Sequence, residues 1–171
     1  MQEAENLCNQ MKVPLIIGEY ESTEWFQKTA EFKNEPERGK RCNICFEMRL
    51  DQVAALARQL HINKLPITNS VVSKDIAGSI VPKSCGALSA TNSIVRKDYE
   101  ALQEIYFATT LSISPHKNIN QINSAGEKAS QKYGIKFLAR DWKKKNGYLK
   151  ATQLAQNLHL KRQNYCGCVY S

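Results

Sequence analysis

The sequence predicts an α/β fold in which a Rossmann-like parallel sheet is flanked by helices. Short apolar runs at residues 12–20, 105–111 and 135–138 have the composition of buried strands, and helical spacing follows the first two. Such an alternation of strands and helices is typical of a parallel sheet. The chain has 171 residues, of which 42% are apolar, so it can bury one hydrophobic core. We therefore expect a single α/β domain over residues 1–171.

Helical spacing predicts the segments that cover this sheet. They are residues 1–11, 23–32, 41–60, 119–133 and 148–158. In the third segment alanines raise the helix propensity, and the predicted apolar stripe consists of Cys45, Met48, Val53, Leu56 and Leu60. Gly134 is expected to end the fourth helix.

Residues 61–104 differ from the rest, because they are rich in Ser, Asn and Lys and hold only scattered apolar residues. We interpret this stretch as an irregular insertion with one short helix at residues 97–103. The chain also opens inside a helix, although a parallel sheet of this kind normally opens with a strand. We therefore expect that the first strand is missing from this sequence.

Charge and cysteine content narrow the functional classes. The sequence carries 24 basic and 16 acidic residues, a net charge of +8, which favours nucleic acid as a partner over a basic surface without a specific one. It has no apolar run long enough to cross a bilayer, and its first residues are polar, so we expect no membrane partner and a cytoplasmic location. Six cysteines in that compartment indicate metal binding or catalysis before structural disulfides.

Two cysteine pairs, far apart in the sequence, carry the main chemical signal. Cys42 and Cys45 form a C-x-x-C pair at the start of a predicted helix, where the helix dipole and basic neighbours favour thiolates. Cys166 and Cys168 form a C-x-C pair in the last segment, which Tyr165, Val169 and Tyr170 could anchor. We expect the fold to bring the two pairs together around a redox or metal centre.

Residue chemistry leaves several roles open for these pairs. The C-x-x-C pair suits an iron–sulfur cluster, a zinc ion or a redox dithiol. The C-x-C pair could close a strained, easily reduced disulfide that shuttles two electrons, or it could add two ligands to the same metal. The alternatives without a chemical role are that Cys42 and Cys45 are buried as small apolar residues, and that Cys166 and Cys168 lie in a frayed chain end. Cys8 and Cys85 have no partners in sequence, and we expect both to be structural.

Basic residues near the predicted strand ends supply further candidates. Residues 112–118 (SISPHKN) leave a strand and enter a helix, where Ser114, His116, Lys117 and free backbone N–H groups could hold a phosphate. His116 could also protonate a leaving alkoxide. The lysine run at 143–145, beside Trp142, fits an RNA-contacting surface with a stacking platform. A helix cap and a solvated charge run are the alternatives.

Four motifs in this order resemble the QueH-type epoxyqueuosine reductases: ERGKRCNICFEMRL, TTLSISPHKN, FLARDWKKKNGY and KRQNYCGCVYS. The resemblance covers residues 11–60 and 105–171, and residues 61–104 have no counterpart that can be aligned. It implies a Rossmann-like fold and a [4Fe–4S] cluster with an additional iron ion close by. The reaction it implies is the reduction of epoxyqueuosine to queuosine in tRNA, with an electron donor that the sequence does not identify.

Site residues follow from the same resemblance. Carried over by motif, Cys42 and Cys45 would ligate the cluster, and Cys166 and Cys168 would be the redox-active pair. Asp141, the acid of the DWKKK motif, is the candidate for a carboxylate among the iron ligands. His116 is the candidate acid that protonates the epoxide oxygen.

The sequence departs from the family pattern at its start. The family's other two cluster ligands are an adjacent Cys-Cys pair that follows its first strand, and this sequence has neither the pair nor the strand. We expect both to precede Met1. Two rival functions stay open on residue chemistry: a zinc-stabilised RNA-binding module built on the four cysteines, and a thiol–disulfide oxidoreductase that acts on proteins.

Overall fold

The computed structural model describes residues 2–18, 22–63, 105–162 and 166–170. In these segments the helices are α1 (Gln2–Met11), α2 (Thr23–Thr29), α3 (Lys40–Asn63), α4 (Ile119–Tyr133) and α5 (Gly147–Asn157), and the strands are β1 (Tyr106–Phe107) and β2 (Lys136–Phe137). Short 3₁₀ helices at Ala30–Phe32 and Leu111–Ile113 extend α2 and follow β1. The helices lie close to the segments predicted from spacing.

The hydrophobic core forms where α3 packs along α4. Buried apolar residues of α3 recur every four positions, at Cys42, Phe46, Leu50 and Ala54. The buried residues of α4 are Ile122, Ala125, Gly126 and Ala129. Phe107 and Ile135 complete the buried cluster.

This buried face of α3 differs from the predicted apolar stripe. Val53, a predicted member, is 43% exposed, whereas Leu50 is 1% exposed and Ala54 is fully buried. The predicted stripe is wrong because the residues that α3 buries lie four positions apart, from Cys42 to Ala54, and the larger apolar side chains lie beside that row. That spacing keeps one face turned towards α4, and small residues such as Ala54 allow the two helices to approach each other.

The two strands pair in parallel, with Tyr106 opposite Lys136 and Phe107 opposite Phe137. Because α4 connects them, this part of the chain is a β-α-β unit, which agrees with the predicted α/β class. The rings of Phe107 and Phe137 lie 5.1 Å apart between their centroids. Each strand is shorter than the predicted run, and the wider Rossmann-like sheet stays a prediction.

The predicted strand at residues 12–20 is wrong for the part that the structure describes. Residues 12–18 contain a single bridge residue, Ile16, and Val13 is 53% exposed. Pro14 lies inside the run, and proline has no backbone N–H with which to extend a strand ladder. Residues 19–20 lie outside the described residues.

The ends of α4 are fixed by its capping residues. The Asn118 side chain accepts a hydrogen bond from the Asn120 backbone N–H at 2.9 Å. Gly134 adopts a left-handed φ of 66° and donates its N–H to the Ser130 carbonyl at 2.8 Å, so the predicted stop is confirmed. Arg58 of α3 donates to the Tyr133 carbonyl at 2.6 Å, which ties the last turn of α4 to α3.

The boundaries of the predicted insertion are only partly visible. α3 continues to Asn63, so residues 61–63 belong to a helix and the irregular stretch cannot begin at residue 61. The predicted helix at 97–103 and Cys85 lie outside the described residues. Among the described helices, none combines the length and apolarity needed to cross a bilayer.

The close contact of α4 with β2 yields a stability test. A Cβ added at Gly126 would clash with the Phe137 ring, so we expect Gly126→Ala to destabilise the fold by about 2 kcal/mol. Gly18→Ala is the matched control, because a Cβ at Gly18 meets nothing within 4 Å. Urea denaturation followed by circular dichroism measures both free energies of unfolding. Equal stabilities of the two variants would contradict the close approach.

Candidate redox site

Cys42 lies in the first turn of α3, where the helix joins the core. It is 8% exposed, and its Sγ accepts a hydrogen bond from the Arg38 backbone N–H at 3.2 Å. Arg38 has a left-handed φ of 71°, a conformation that costs a non-glycine residue about 1 kcal/mol and that is maintained by its surroundings. Cys45 follows one turn later and is half-buried. The first pair is therefore anchored through the core and through the loop before α3.

Two side chains, Arg38 and Lys117, join this loop to the turn before α4 in opposite directions. We call these contacts, among residues 37–38 and 115–117, the clasp. Arg38 Nε donates to the His116 carbonyl at 2.9 Å, and Arg38 Nη2 reaches the Pro115 carbonyl at 3.4 Å. In the other direction, Lys117 Nζ donates to Glu37 Oε1 at 2.7 Å. Each segment thus contributes one cation and receives one from its neighbour.

Lys117 also joins the clasp to the C-terminal cysteines. Its Nζ lies 2.8 Å from Cys166 Sγ, and its side chain is only 10% exposed. Burial alone would lower the pKa of Lys117, but hydrogen bonds to Cys166 and Glu37 outweigh burial and raise the pKa, so the ammonium stays charged. The hydrogen bond from Lys117 lowers the pKa of Glu37 against the effect of burial, with additional help from the charges of Lys117, His116 and Arg38.

Tyr170 anchors the segment that carries Cys166 and Cys168. Its ring stacks on Trp25 of α2, with centroids 5.7 Å apart and 20° between the planes. The guanidinium of Arg41 lies 5.4 Å from the centroid of the same ring. The predicted anchoring is confirmed for Tyr170 and is wrong for Val169, which is 68% exposed, and Tyr165 lies outside the described residues.

Arg41 is buried to 2% exposure beneath this contact. Its Nη1 lies 2.8 Å from the carbonyls of both Lys33 and Glu35 and 3.3 Å from that of Phe32. Its Nη2 lies 3.5 Å from the Tyr170 carbonyl. Its planar donors thereby join the loop before α3 to the last described segment.

Of the remaining predicted site residues, His116 takes part in the clasp through its backbone carbonyl, and Asp141 lies in the basic loop at residues 141–146. His116 is exposed, and its charge acts on the neighbouring Glu37. Asp141 Oδ1 accepts the Lys143 backbone N–H at 3.1 Å within the basic loop. Lys143 Nζ donates to the Lys117 carbonyl at 3.0 Å, so this loop contacts the clasp.

The cysteine positions limit what this site can bind. Among the described residues, which include both cysteine pairs, no three Cys, His, Asp or Glu side chains converge in a way that could hold a metal ion. The predicted four-cysteine zinc site is therefore not formed by these residues. Arg38 and Lys117 instead contact one sulfur of each pair, those of Cys42 and Cys166. A [4Fe–4S] cluster takes four thiolates, and Cys42 and Cys45, one helical turn apart, can supply two of them.

A groove of about 390 Å³ lies on the other side of the basic loop. Trp142, Ile113, Leu154 and Lys150 are among its lining residues, and Trp142 is 42% exposed. An exposed aromatic ring in an apolar groove with a lysine at its wall suits the stacking of a planar group. Ile113 ends the 3₁₀ helix that leads into the clasp, so the groove and the clasp lie at opposite ends of one turn.

The sequence interpretation missed Glu37 as a site residue and the buried role of Arg41. Glu37 and Lys117 are 80 positions apart, and no spacing rule connects them. The position of Glu37 in the ERGKRC motif, next to the cysteines, is the one signal that could have drawn attention to it.

Fold and site together define a small α/β protein in which one cysteine of a C-x-x-C pair and one of a C-x-C pair, Cys42 and Cys166, are hydrogen-bonded within one basic site. Residues 1–80 and 95–171 match the family described as epoxyqueuosine reductase QueH. The chain belongs to the epoxyqueuosine reductase QueH family, as its four motifs predicted. The match includes residues 61–80 and 95–104, so much of the stretch for which we found no counterpart does have one.

Curated relatives agree with this assignment. The chain is 30% identical over 159 residues to the epoxyqueuosine reductase QueH of Streptococcus pyogenes serotype M1, a match that covers 93% of this chain and 46% of the relative. It is 28% identical over 160 residues to the protein of that name from Histophilus somni, covering 93% and 49%. For the Thermotoga maritima protein the identity is 26% over 173 residues, covering 99% and 68%. The chain thus spans about half the length of the first two relatives.

Removal of the Tyr170 ring tests the anchoring of the tail. Tyr170→Ala removes the stack on Trp25 and the contact with Arg41, which together contribute about 1–2 kcal/mol. Amide hydrogen exchange in the peptide that carries Cys166 should therefore accelerate about tenfold. Val169→Ala is the matched control, because Val169 is 68% exposed. Slow exchange retained in Tyr170→Ala would show that the ring is not the anchor.

The Glu37–Lys117 contact should make a small contribution to stability that depends on pH. Because the folded-state pKa of Glu37 lies below its ordinary value of 4.5, this contribution is complete above that value and is lost as the pH falls through the lowered pKa. Glu37→Gln should cost less than about 1 kcal/mol at pH 7, since Glu37 is 39% exposed. Thermal melts of wild type and variant should converge as the pH falls below 4.5.

The control for that experiment is Glu24→Gln, which breaks an exposed ion pair with Lys28 on a single helix. It measures the effect of losing an ordinary surface carboxylate across the same pH range. A stability difference between wild type and Glu37→Gln that stays constant over this range would contradict the assigned contact.

Proposed function

We propose that this protein reduces epoxyqueuosine to queuosine in tRNA, with Cys166 and Cys168 as a redox-active pair beside an iron–sulfur centre. The observation that carries the proposal is that one sulfur of each pair, Cys42 and Cys166, is hydrogen-bonded within one site, in a member of a family named for this reduction. A cytoplasmic location suits the proposal, because thiols stay reduced there.

The cysteine pair can balance the reaction. Removal of the epoxide oxygen as water, with formation of the alkene, takes two electrons and two protons. Oxidation of the Cys166–Cys168 dithiol to a disulfide releases two electrons and two protons. An external electron donor must then reduce the disulfide before the next turnover.

His116 is the proposed acid for the epoxide oxygen. Its side chain is exposed at the turn that enters α4, and imidazole is the side chain most often used for proton transfer near neutral pH. The Arg38 side chain holds the His116 carbonyl at 2.9 Å and so fixes the backbone that presents the ring. This contact supports the proposal, because it fixes the backbone next to Lys117, whose side chain contacts Cys166.

Cys42 and Cys45 would hold two positions of the [4Fe–4S] cluster, and Asp141 is the proposed carboxylate ligand of the additional iron ion. When bound, such a cluster supplies electron transfer. The contribution of this chain is the placement of Cys42, which the core and the Arg38 N–H fix together. Asp141 is placed by its hydrogen bond from the Lys143 N–H.

The basic loop and the groove beside it are the proposed contact surface for tRNA. Lys144 and Lys145 are exposed and can contact phosphates, in keeping with the net charge of +8. Trp142 offers a ring on which an unstacked base can lie. The Arg162 guanidinium over the Tyr148 ring, 5.1 Å from its centroid, adds another cation near this surface.

The rival functions have less support. A zinc-stabilised module needs a closed set of four ligands, and the described residues do not form one. A protein-directed thiol–disulfide oxidoreductase would not need the lysine run or the groove.

The test is an activity assay after anaerobic reconstitution with iron and sulfide. The substrate is epoxyqueuosine-containing tRNA, and nucleoside mass spectrometry measures queuosine. We expect loss of conversion in Cys42→Ala, Cys166→Ser and Cys168→Ser, because each removes a proposed ligand or redox sulfur. Cys8→Ser is the control, since Cys8 lies on α1 outside the site.

Two results of that assay would contradict the proposal. One is that the wild-type protein, assayed together with any residues that precede Met1, does not convert the substrate. The other is full conversion by Cys42→Ala or Cys166→Ser.

A further inference from the structure

The proposed function assigns no role to the side chain of Lys117. We propose that Lys117 is a positioning residue that sets the reactivity of Cys166, and that Glu37 holds Lys117 in place for this purpose. The inference rests on the proposed redox role of the Cys166–Cys168 pair. It concerns one sulfur atom, so it can be tested without tRNA and without iron.

The geometry of Lys117 is that of a fixed donor. Its Nζ lies 2.8 Å from Cys166 Sγ and 2.7 Å from Glu37 Oε1, with 10% of the side chain exposed. A surface lysine normally samples many rotamers, whereas this one is largely covered and is held by two acceptors. Lys143 Nζ also donates to the Lys117 carbonyl at 3.0 Å, which fixes the backbone from which the side chain extends.

Three separate parts of the chain meet at this ammonium group. Glu37 is 80 positions before Lys117, and Cys166 is 49 positions after it. By comparison, the exposed ion pair of Lys128 with Glu47 joins only two segments, α4 and α3. The additional contact with sulfur is therefore the specific feature of Lys117.

A fixed ammonium changes what a cysteine sulfur can do. The thiolate is the nucleophile in disulfide exchange, and an adjacent cation favours it. Glu37 offsets part of the lysine charge, and Arg38 and His116 add positive charge around Glu37. In an exchange step the Cys166 thiolate would form a new S–S bond to the attacked sulfur, and the displaced sulfur would leave as a thiolate.

Alkylation of the reduced full-length chain with iodoacetamide measures this reactivity. The Cys166 sulfur forms a C–S bond, the C–I bond breaks, and iodide leaves. Lys117→Met should slow this reaction about tenfold, as expected for loss of one charge-assisted hydrogen bond. Lys117→Arg keeps the charge and should retain most of the rate.

Lys128→Met is the matched control, because it removes a lysine from an exposed ion pair in which its partner is a carboxylate and not a sulfur. Fragment ions of the tryptic peptide that follows Arg162 distinguish Cys166 from Cys168. The expected pattern is a slower Cys166 reaction in Lys117→Met alone, with the melting temperature recorded for every variant. An unchanged Cys166 rate in folded Lys117→Met would overturn the inference.

A measurement on the wild type covers the case in which Lys117→Met does not fold. The rate ratio of negatively charged iodoacetate to neutral iodoacetamide at Cys166 should be several-fold higher in the native chain than in urea. An equal ratio in the two states would overturn the inference. Both measurements are independent of the tRNA assay, so failure of the proposed reductase activity would leave their outcome interpretable.

Discussion

The crossed contact between the loop before α3 and the turn before α4 is the constraint on which the site depends. Arg38 reaches from the first segment to the carbonyls of Pro115 and His116, and Lys117 reaches back to Glu37. Because each side chain bonds to the other segment, neither segment can move alone without breaking both contacts. The N–H of Arg38 and the Nζ of Lys117 are also the groups that contact the two cysteine sulfurs.

The hydrophobic core between α3 and α4 supports this clasp. Both clasped segments lead directly into the helices whose buried faces meet at Leu50 and Ile122, so the packing of the helices sets the distance between their first turns. Ion pairs of Lys128 with Glu47 and Lys132 with Asp51 follow the same seam, but they are exposed and contribute little. Burial of apolar surface between α3 and α4 therefore supplies most of the free energy that holds the site together.

Local signals predicted the parts of the molecule that depend on short-range chemistry. Asn118 and Gly134 fixed the ends of α4, and Tyr170 anchors the tail as expected. The strand predicted over residues 12–20 is wrong because Pro14 has no backbone N–H to donate to a neighbouring strand. The buried face of α3 was predicted wrongly because it depends on where α4 packs, which a single sequence does not reveal.

The site divides in the same way. The four cysteines could be identified from spacing, since C-x-x-C and C-x-C are short patterns. The side chains that position them could not, because Glu37, Lys117 and Cys166 come together only after the whole domain has folded. Arg41 is a further case, since nothing in its neighbourhood distinguishes a buried arginine from the exposed basic residues around it.

The two cysteine pairs are held by different kinds of contact, and this difference matches their proposed roles. Cys42 is part of the hydrophobic core and accepts a backbone N–H, so its sulfur is as fixed as the helix that carries it. Cys166 lies on an end segment held by a lysine side chain and by the stacked ring of Tyr170. A cluster ligand must keep its position, whereas a sulfur that alternates between dithiol and disulfide must change partners. Cys42 is thus held as a proposed cluster ligand requires, and the contacts of Cys166 leave its sulfur at the side chain of Lys117, as a proposed redox sulfur requires.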